Sequence, residues 1–274
     1  MLKHPCVFRQ AQYGYGLAIN LGISKIFLLL TFNFLLFTSY AQIKHKIIII
    51  PFEPKLYMSQ IDHKINAETK LNQKEIKEAY RKGINAELAK SLKQKYEVLD
   101  LLKDTAKYKK DILNIYKNIT FSYEKVPDQS HYKTPVQENT KKNESIKNGQ
   151  ILVETNPDAR FMNVRVTSPA LVPALYAKYK TDLFLFINQL DVFAGELTAS
   201  DLGMVSERIL TIHYTVFTVD AKEINSGTCS IKFPADLNNP SRIISNYISK
   251  VSAEITGRIA RALSKIEAAP KKQP

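Results

Sequence analysis

Asp182-Leu183-Phe184-Leu185-Phe186-Ile187-Asn188-Gln189-Leu190-Asp191-Val192 is an apolar strand that becomes alternating at its far end. It is the strongest secondary-structure signal in the chain, and the rest of the fold reads outward from it. Downstream, Glu207 to Val219 alternates, with Ile209, Thr211, His213 and Thr215 on one side and Leu210, Ile212, Tyr214 and Val216 on the other. A turn at Asp220-Ala221-Lys222 leads into Glu223 to Phe233, and Asn225-Ser226-Gly227 bends the chain again, so the three segments predict an antiparallel meander. Asn239-Pro240-Ser241 then opens a long helix, because Ile244, Ile248, Val251, Ile255, Ile259 and Leu263 recur at spacings of three and four. The tail from residue 267 to 274 has little to bury and is expected to be disordered.

Upstream, Ile47-Ile48-Ile49-Ile50-Pro51-Phe52 is a β-branched run ended by proline, the pattern of a central strand buried on both faces. Ile76, Tyr80, Ile84, Leu88 and Leu92 mark one face of a helix that begins near residue 73, where Asn72 and Glu75 form a capping-box pattern. Tyr96 to Asp100 is a second short strand, and the crossover helix makes it parallel to the first. A further helix is expected over 105–118, then an exposed insertion over 124–150 rich in Lys, Asn and Glu. Phe161 to Val166 reads as a strand, and Ser168-Pro169 as the start of a short helix to Tyr179. The fold class is α/β (α+β), a mixed sheet with helices packed on it and a C-terminal meander followed by a long amphipathic helix. One domain over 42–266 carries it.

Residues 1–41 read as an export leader. Lys3, Arg9 and Lys25 precede the apolar run Ile26 to Phe37, and Ser39-Tyr40-Ala41 ends it with a small-x-small cleavage pattern, predicting a mature start at Gln42. The alternative is an inner-membrane anchor formed by residues 17–41, but the run is shorter than the ~20 residues a span needs. Removing residues 1–41 takes three bases and no acid, so 39 basic residues become 36 against 26 acidic, a formal charge of +10. That balance suits an anionic glycan or lipid surface, and export sets nucleic acid aside. Cys6 goes with the leader, which leaves Cys229 without an intramolecular disulfide partner and, within an alternating strand, as a small buried residue.

Three stretches carry a resemblance to a known group: Ile48-Ile49-Ile50-Pro51-Phe52, Tyr179 to Leu185, and Tyr214 to Gly227, which has an apolar strand, Asp, a short turn, Gly and a return strand. Together they resemble the extracytoplasmic α/β fold of the curli-secretion lipoproteins, the penicillin-binding-protein activator lipoproteins and the amino-terminal domain of the Tol-system translocation protein. The resemblance implies a periplasmic binding or assembly module with an envelope protein partner, and no cofactor. The chain departs from that group in lacking a cysteine after its leader, which removes lipoprotein anchoring.

No catalytic, cofactor or metal residue is assigned. His45, His63, His131 and His213 form no metal-ligand pair, and neither a nucleophile elbow nor a glycine-rich phosphate loop occurs. His213 reads as a hydrogen-bonded structural side chain. The alternative is a secreted hydrolase using His213 with Asp182 and Asp191, or Glu196 and Asp201, as paired carboxylates. Tyr123, His131 and Tyr132 near the insertion are aromatic candidates for a carbohydrate-stacking surface, and read equally well as anchors pinning a loop. The loop Ala194 to Ser206 is a second such surface, and the Lys-rich helix over 73–95 is a face for anionic envelope material.

Overall fold

The computed structural model describes residues 45–126, 146–147, 150–151, 160–194 and 207–268. The expected leader, most of the expected 124–150 insertion, the loop after Ala194 and the tail beyond Ala268 lie outside them. The expected architecture is present. Six strands form one mixed sheet: β1 (Lys46–Ile50), β2 (Tyr57–Ser59), β3 (Glu97–Asp100), β6 (Leu183–Phe193), β7 (Glu207–Thr218) and β8 (Glu223–Pro234). Its order is β8-β7-β6-β1-β3, with β2 pairing beside the far half of β6. β1 runs parallel to both β3 and β6, while β6, β7 and β8 form the antiparallel meander. Asn225-Ser226-Gly227 does not bend the chain away; it stays in β8 beside an irregularity of register between Glu223 and Asn225, where Gly227 takes φ 136°.

Alternation along β1 sorts its isoleucines between two cores. Ile47 and Ile49 meet α1 (Asp62–Thr69), α2 (Gln73–Leu92) and the terminal helix α5, whereas Ile48 and Ile50 meet α3 (Thr105–Lys117), α4 (Leu171–Tyr179) and a two-stranded ribbon. α5 starts at Pro240–Ile243, passes through a π turn at Ile244–Ile248 and continues over Ser249–Ala268. The stripe Ile76, Tyr80, Ile84, Leu88 and Leu92 of α2 is fully buried, and each such side chain contributes about 1.5–3 kcal/mol. The capping box forms as read: Asn72 Oδ1 accepts from Glu75 N–H at 3.0 Å and Asn72 N–H donates to Glu75 Oε2 at 2.8 Å. α2 and α5 approach closely at Gly83, where an added Cβ would stand 2.4 Å from Ile244 Cδ1. That contact gives the glycine a packing reason inside a helix, where it otherwise costs about 1 kcal/mol against alanine.

The ribbon corrects one boundary. β4 (Ile119–Lys125), a strand not expected from the sequence, pairs antiparallel with β5 (Arg160–Val166), and Glu124 and Lys125, expected in the insertion, complete it. Ser168 and Pro169 form a turn before α4, which starts at Leu171. Glu267 and Ala268, expected in a disordered tail, are the last residues of α5. Ile146–Lys147 pairs with Gln150–Ile151 as a separate two-residue ladder.

Parallel sheets of this kind bind ligands at the carboxyl end of the strands, where crossovers leave in opposite directions. Here that place lies between β1 and β6, and the chain fills it itself. After Ile50 it leaves the sheet, and it returns as β2 along Leu190–Val192. Arg81 Nε donates to Phe52 O at 2.9 Å and Tyr116 OH donates to Pro51 O at 2.7 Å, which locks the excursion in place. Among the described residues no helix is long and apolar enough to cross a membrane.

Candidate functional site

Among the described residues, a connected set of buried polar groups lies where β5 crosses the second half of β6 and β7. Its origin is one extra residue. In the β6–β7 ladder Ile187 faces Tyr214 and Gln189 faces His213, so Asn188 is a bulge with no opposite. Leu183, Leu185 and Ile187 point to the α2–α5 core before it, and Leu190 and Val192 point there after it. The shift in parity turns Gln189 and Asp191 toward the ribbon, beside His213 and Thr215.

There the side chains complete a strand edge. In an antiparallel ladder alternate residues turn their N–H and C=O away from the partner strand. Met162 does so, facing the sheet instead of another strand. Its N–H donates to His213 Nδ1 at 2.9 Å and its C=O accepts from Asn188 Nδ2 at 2.9 Å. Because Nδ1 accepts, the ring hydrogen sits on Nε2, which donates to Asp191 Oδ2 at 2.9 Å. Asp191 Oδ1 accepts from Gln189 Nε2 at 2.7 Å, and Tyr123 OH donates to Gln189 Oε1 at 3.2 Å. Asn188 also donates to Thr215 Oγ1 at 2.8 Å, and that hydroxyl donates to Asn163 Oδ1 at 2.5 Å.

The network reaches solvent at Glu124. Asn163 Nδ2 donates to Glu124 Oε2 at 2.9 Å and to Glu223 Oε2 at 3.2 Å, and Arg165 Nη2 donates to Glu124 Oε1 at 2.7 Å. The bonds from Asn163 and Arg165 hold the Glu124 carboxyl below the usual carboxylate range. An open groove of about 590 Å³ follows this rim, lined by Asn163, Arg165, Thr167, Phe217, Ala221 and Glu223 among others.

A histidine beside a buried aspartate is the outline of a catalytic base, but this one has no lone pair to offer. His213 is 4% exposed, and its acceptor nitrogen is held by a backbone amide. Asp182 and Asp191 lie near opposite ends of β6, nine residues apart and so roughly 30 Å in extended chain, against the ~5–10 Å a glycosidase needs. Glu196, Asp201, His131 and Tyr132 lie outside the described residues. Tyr123 is in β4 with its ring half exposed, and among the described residues no cluster of His, Cys, Asp and Glu could hold a metal. Cys229 is buried in β8, and burial pushes its thiol up to about 12, so it stays protonated and packs as a small apolar residue.

Sequence reading did not anticipate His45. Its Nδ1 contacts Asp182 Oδ2, and its Nε2 lies 3.0 Å from Glu267 Oε1, joining the start of β1 to the last turn of α5. Both ring nitrogens face acceptors only, so the imidazolium suits the place. Burial pulls its pKa down, yet the bonds and charges of Glu267 and Asp182 outweigh that and raise it above the ordinary 6.5. A raised folded pKa stabilises fully below about pH 6.5, and the contribution is lost as pH rises through the folded value. In a half-exposed site it amounts to at most about 1 kcal/mol. His45→Gln should therefore flatten the stability profile as pH rises above about 6.5, as read by urea titrations in a pH series.

No family model matches the chain, and no curated protein does. Among solved structures, a hypothetical protein of Chlamydia trachomatis is similar at 9% identity and a TM-score of 0.36, over 80% of this chain and 99% of that one.

Proposed function

We propose that the chain is an exported, non-enzymatic binding or assembly module of the bacterial cell envelope, acting through protein contacts. The observation that carries this reading is the use made of the reactive-looking groups. His213, Asp191, Gln189 and Asn188 are spent on one another and on the edge of β5, which fastens a ribbon to a sheet. A frame of that kind suits the presentation of loops. Thr167 shares a groove with Ala221 beside the β7–β8 turn, so the Lys125 and Arg160 end of the ribbon points the other way, toward the end where β6 finishes and β7 begins. The insertion and the loop after Ala194 thus depart toward one end of the sheet, with exposed Tyr123 nearby. The resemblance to periplasmic lipoproteins, without their cysteine anchor, implies a binding or assembly module of the same kind.

The test is removal of residues 126–148 and measurement of two quantities. The melting temperature should stay within a few degrees of the parent, because β4 and β5 keep their full ladder. Partner recovery by mild crosslinking in envelope fractions should fall several-fold. Loss of folding on this deletion would refute the assignment of the segment as a presented loop, and unchanged capture would remove it from the binding surface.

A further inference from the structure

The end of the sheet opposite those loops has its own character. His45 and Glu267 are hydrogen-bonded, so the chain enters the domain and leaves its last helix at one place. Lys90, Lys93 and Lys95 close α2 there, Lys180 precedes β6, Lys222 lies in the β7–β8 turn and Lys265 in the last turn of α5. All six are exposed. Of the acids at this end, Glu97 pairs with Lys46 at 2.7 Å and Asp182 and Glu267 flank His45, while Asp220 in the β7–β8 turn stands exposed beside Lys222 and leaves the lysines in excess. Among the described residues Lys90, Lys95, Lys222 and Lys265 have no acid within salt-bridge distance. Tyr176 and Ile266, 46% and 44% exposed, are in the last turns of α4 and α5 at the same end. The far end mixes its signs, with Glu75, Glu78, Asp100 and Asp104 standing among Lys74, Lys77 and Lys103.

We infer that this lysine-rimmed end, where β1 begins and α5 stops, docks on the anionic phospholipid surface of a bilayer. Charge complementarity is one support, since each lysine near such a surface strengthens attachment about fivefold. Exposed apolar side chains among the lysines suit the headgroup boundary. Chain length is the other support. The apolar run of the leader ends at Phe37, and His45 is eight residues on, a reach of at most about 28 Å. A leader still in the bilayer therefore holds this end, and no other, close to the headgroups. After cleavage the lysines of this end remain to keep it there. The opposite end, with Lys125, Arg160, Ala194 and Glu207, then faces away from the membrane. This deepens the envelope reading by giving the module an orientation, but the docking itself is measurable whatever compartment the protein occupies.

The experiment uses the chain Gln42 to Pro274, which contains the whole of both cores, and vesicles of phosphatidylcholine with or without about one-third phosphatidylglycerol. Sedimentation should carry the protein down with the anionic vesicles only, and about 1 M salt should release it because the Debye length falls to about 3 Å. The triple variant Lys95→Glu, Lys222→Glu, Lys265→Glu should lose at least a hundredfold in affinity. Lys64→Glu, Lys74→Glu, Lys103→Glu changes the net charge equally at the far end and should lose less than tenfold. Equal losses in both triples would reduce the effect to net charge and overturn the proposal. So would failure of the parent to bind anionic vesicles, or capture by a soluble anionic polysaccharide in their place. Circular dichroism melts of both triples confirm that the comparison is made between folded proteins. Recovery of the native protein from cytosol would sink the envelope reading while leaving the vesicle result intact.

Discussion

Deletion of Asn188 should leave the protein folded. The residue occupies no rung of the β6–β7 ladder: Ile187 faces Tyr214 and Gln189 faces His213, which are consecutive on the partner strand. Closing the gap therefore gives a regular ladder in which Leu190 and Val192 still face the α2–α5 core, and Gln189 and Asp191 still face the ribbon. What is lost is the side chain. The Met162 carbonyl and Thr215 lose their donor, at a cost of about 1–3 kcal/mol, partly offset because Asn188 Oδ1 is buried with no partner. Asn188→Ala keeps the bulge and removes the same bonds, so the two variants should fall within about 1 kcal/mol of each other. The measurement is soluble yield with near-ultraviolet circular dichroism and thermal melting. Loss of a cooperative melt for the deletion alone would show that the bulge itself, and not only its side chain, is required to seat the ribbon.

The same residue shows why the fold was more legible than the site. Ile47 to Ile50, the α2 stripe and the Asn72 and Glu75 box are local patterns, each complete within one element, and each fell where its period placed it. The change in β6 from apolar to alternating was also visible. Its physical cause, a bulge that restores Leu190 and Val192 to the first core, needs the partner strand. β4 was missed because its burial is shallow: only Ile119 is buried, and the ribbon crosses a polar part of the sheet, so the strand ends in Glu124 and Lys125 like the start of a loop. His45 lies 137 residues from Asp182 and 222 from Glu267, and nothing in any one segment joins them. Asp191 and His213 pose the same difficulty in smaller form. They meet only because the hairpin returns and the bulge turns the aspartate over.

Replacing His213 by alanine should cost about 3–5 kcal/mol, because it strands a buried amide, worth about 1–3 kcal/mol, and breaks a hydrogen bond to a buried carboxylate, worth about 1.5–3 kcal/mol. Two groups are stranded together. The Met162 amide, pinned beneath the ribbon, loses its acceptor, and Asp191 keeps only the Gln189 bond on a carboxylate that is 6% exposed. Asp191→Asn separates these effects, because the amide oxygen still accepts from His213 while the charge is gone, and should cost about 1–3 kcal/mol. The two substitutions should not add. With the aspartate already neutral, loss of the histidine strands the Met162 amide but no charge, so the double variant should fall short of the sum by about 1–2 kcal/mol. Urea unfolding of the four proteins reads this directly. The site of damage is also specified: hydrogen exchange at Met162 and its neighbours in β5 should quicken toward that of exposed chain in His213→Ala, while β1 and α2 keep their protection. A histidine that served as a base would behave differently, since its removal would leave the ribbon in place and unfolding nearly unchanged.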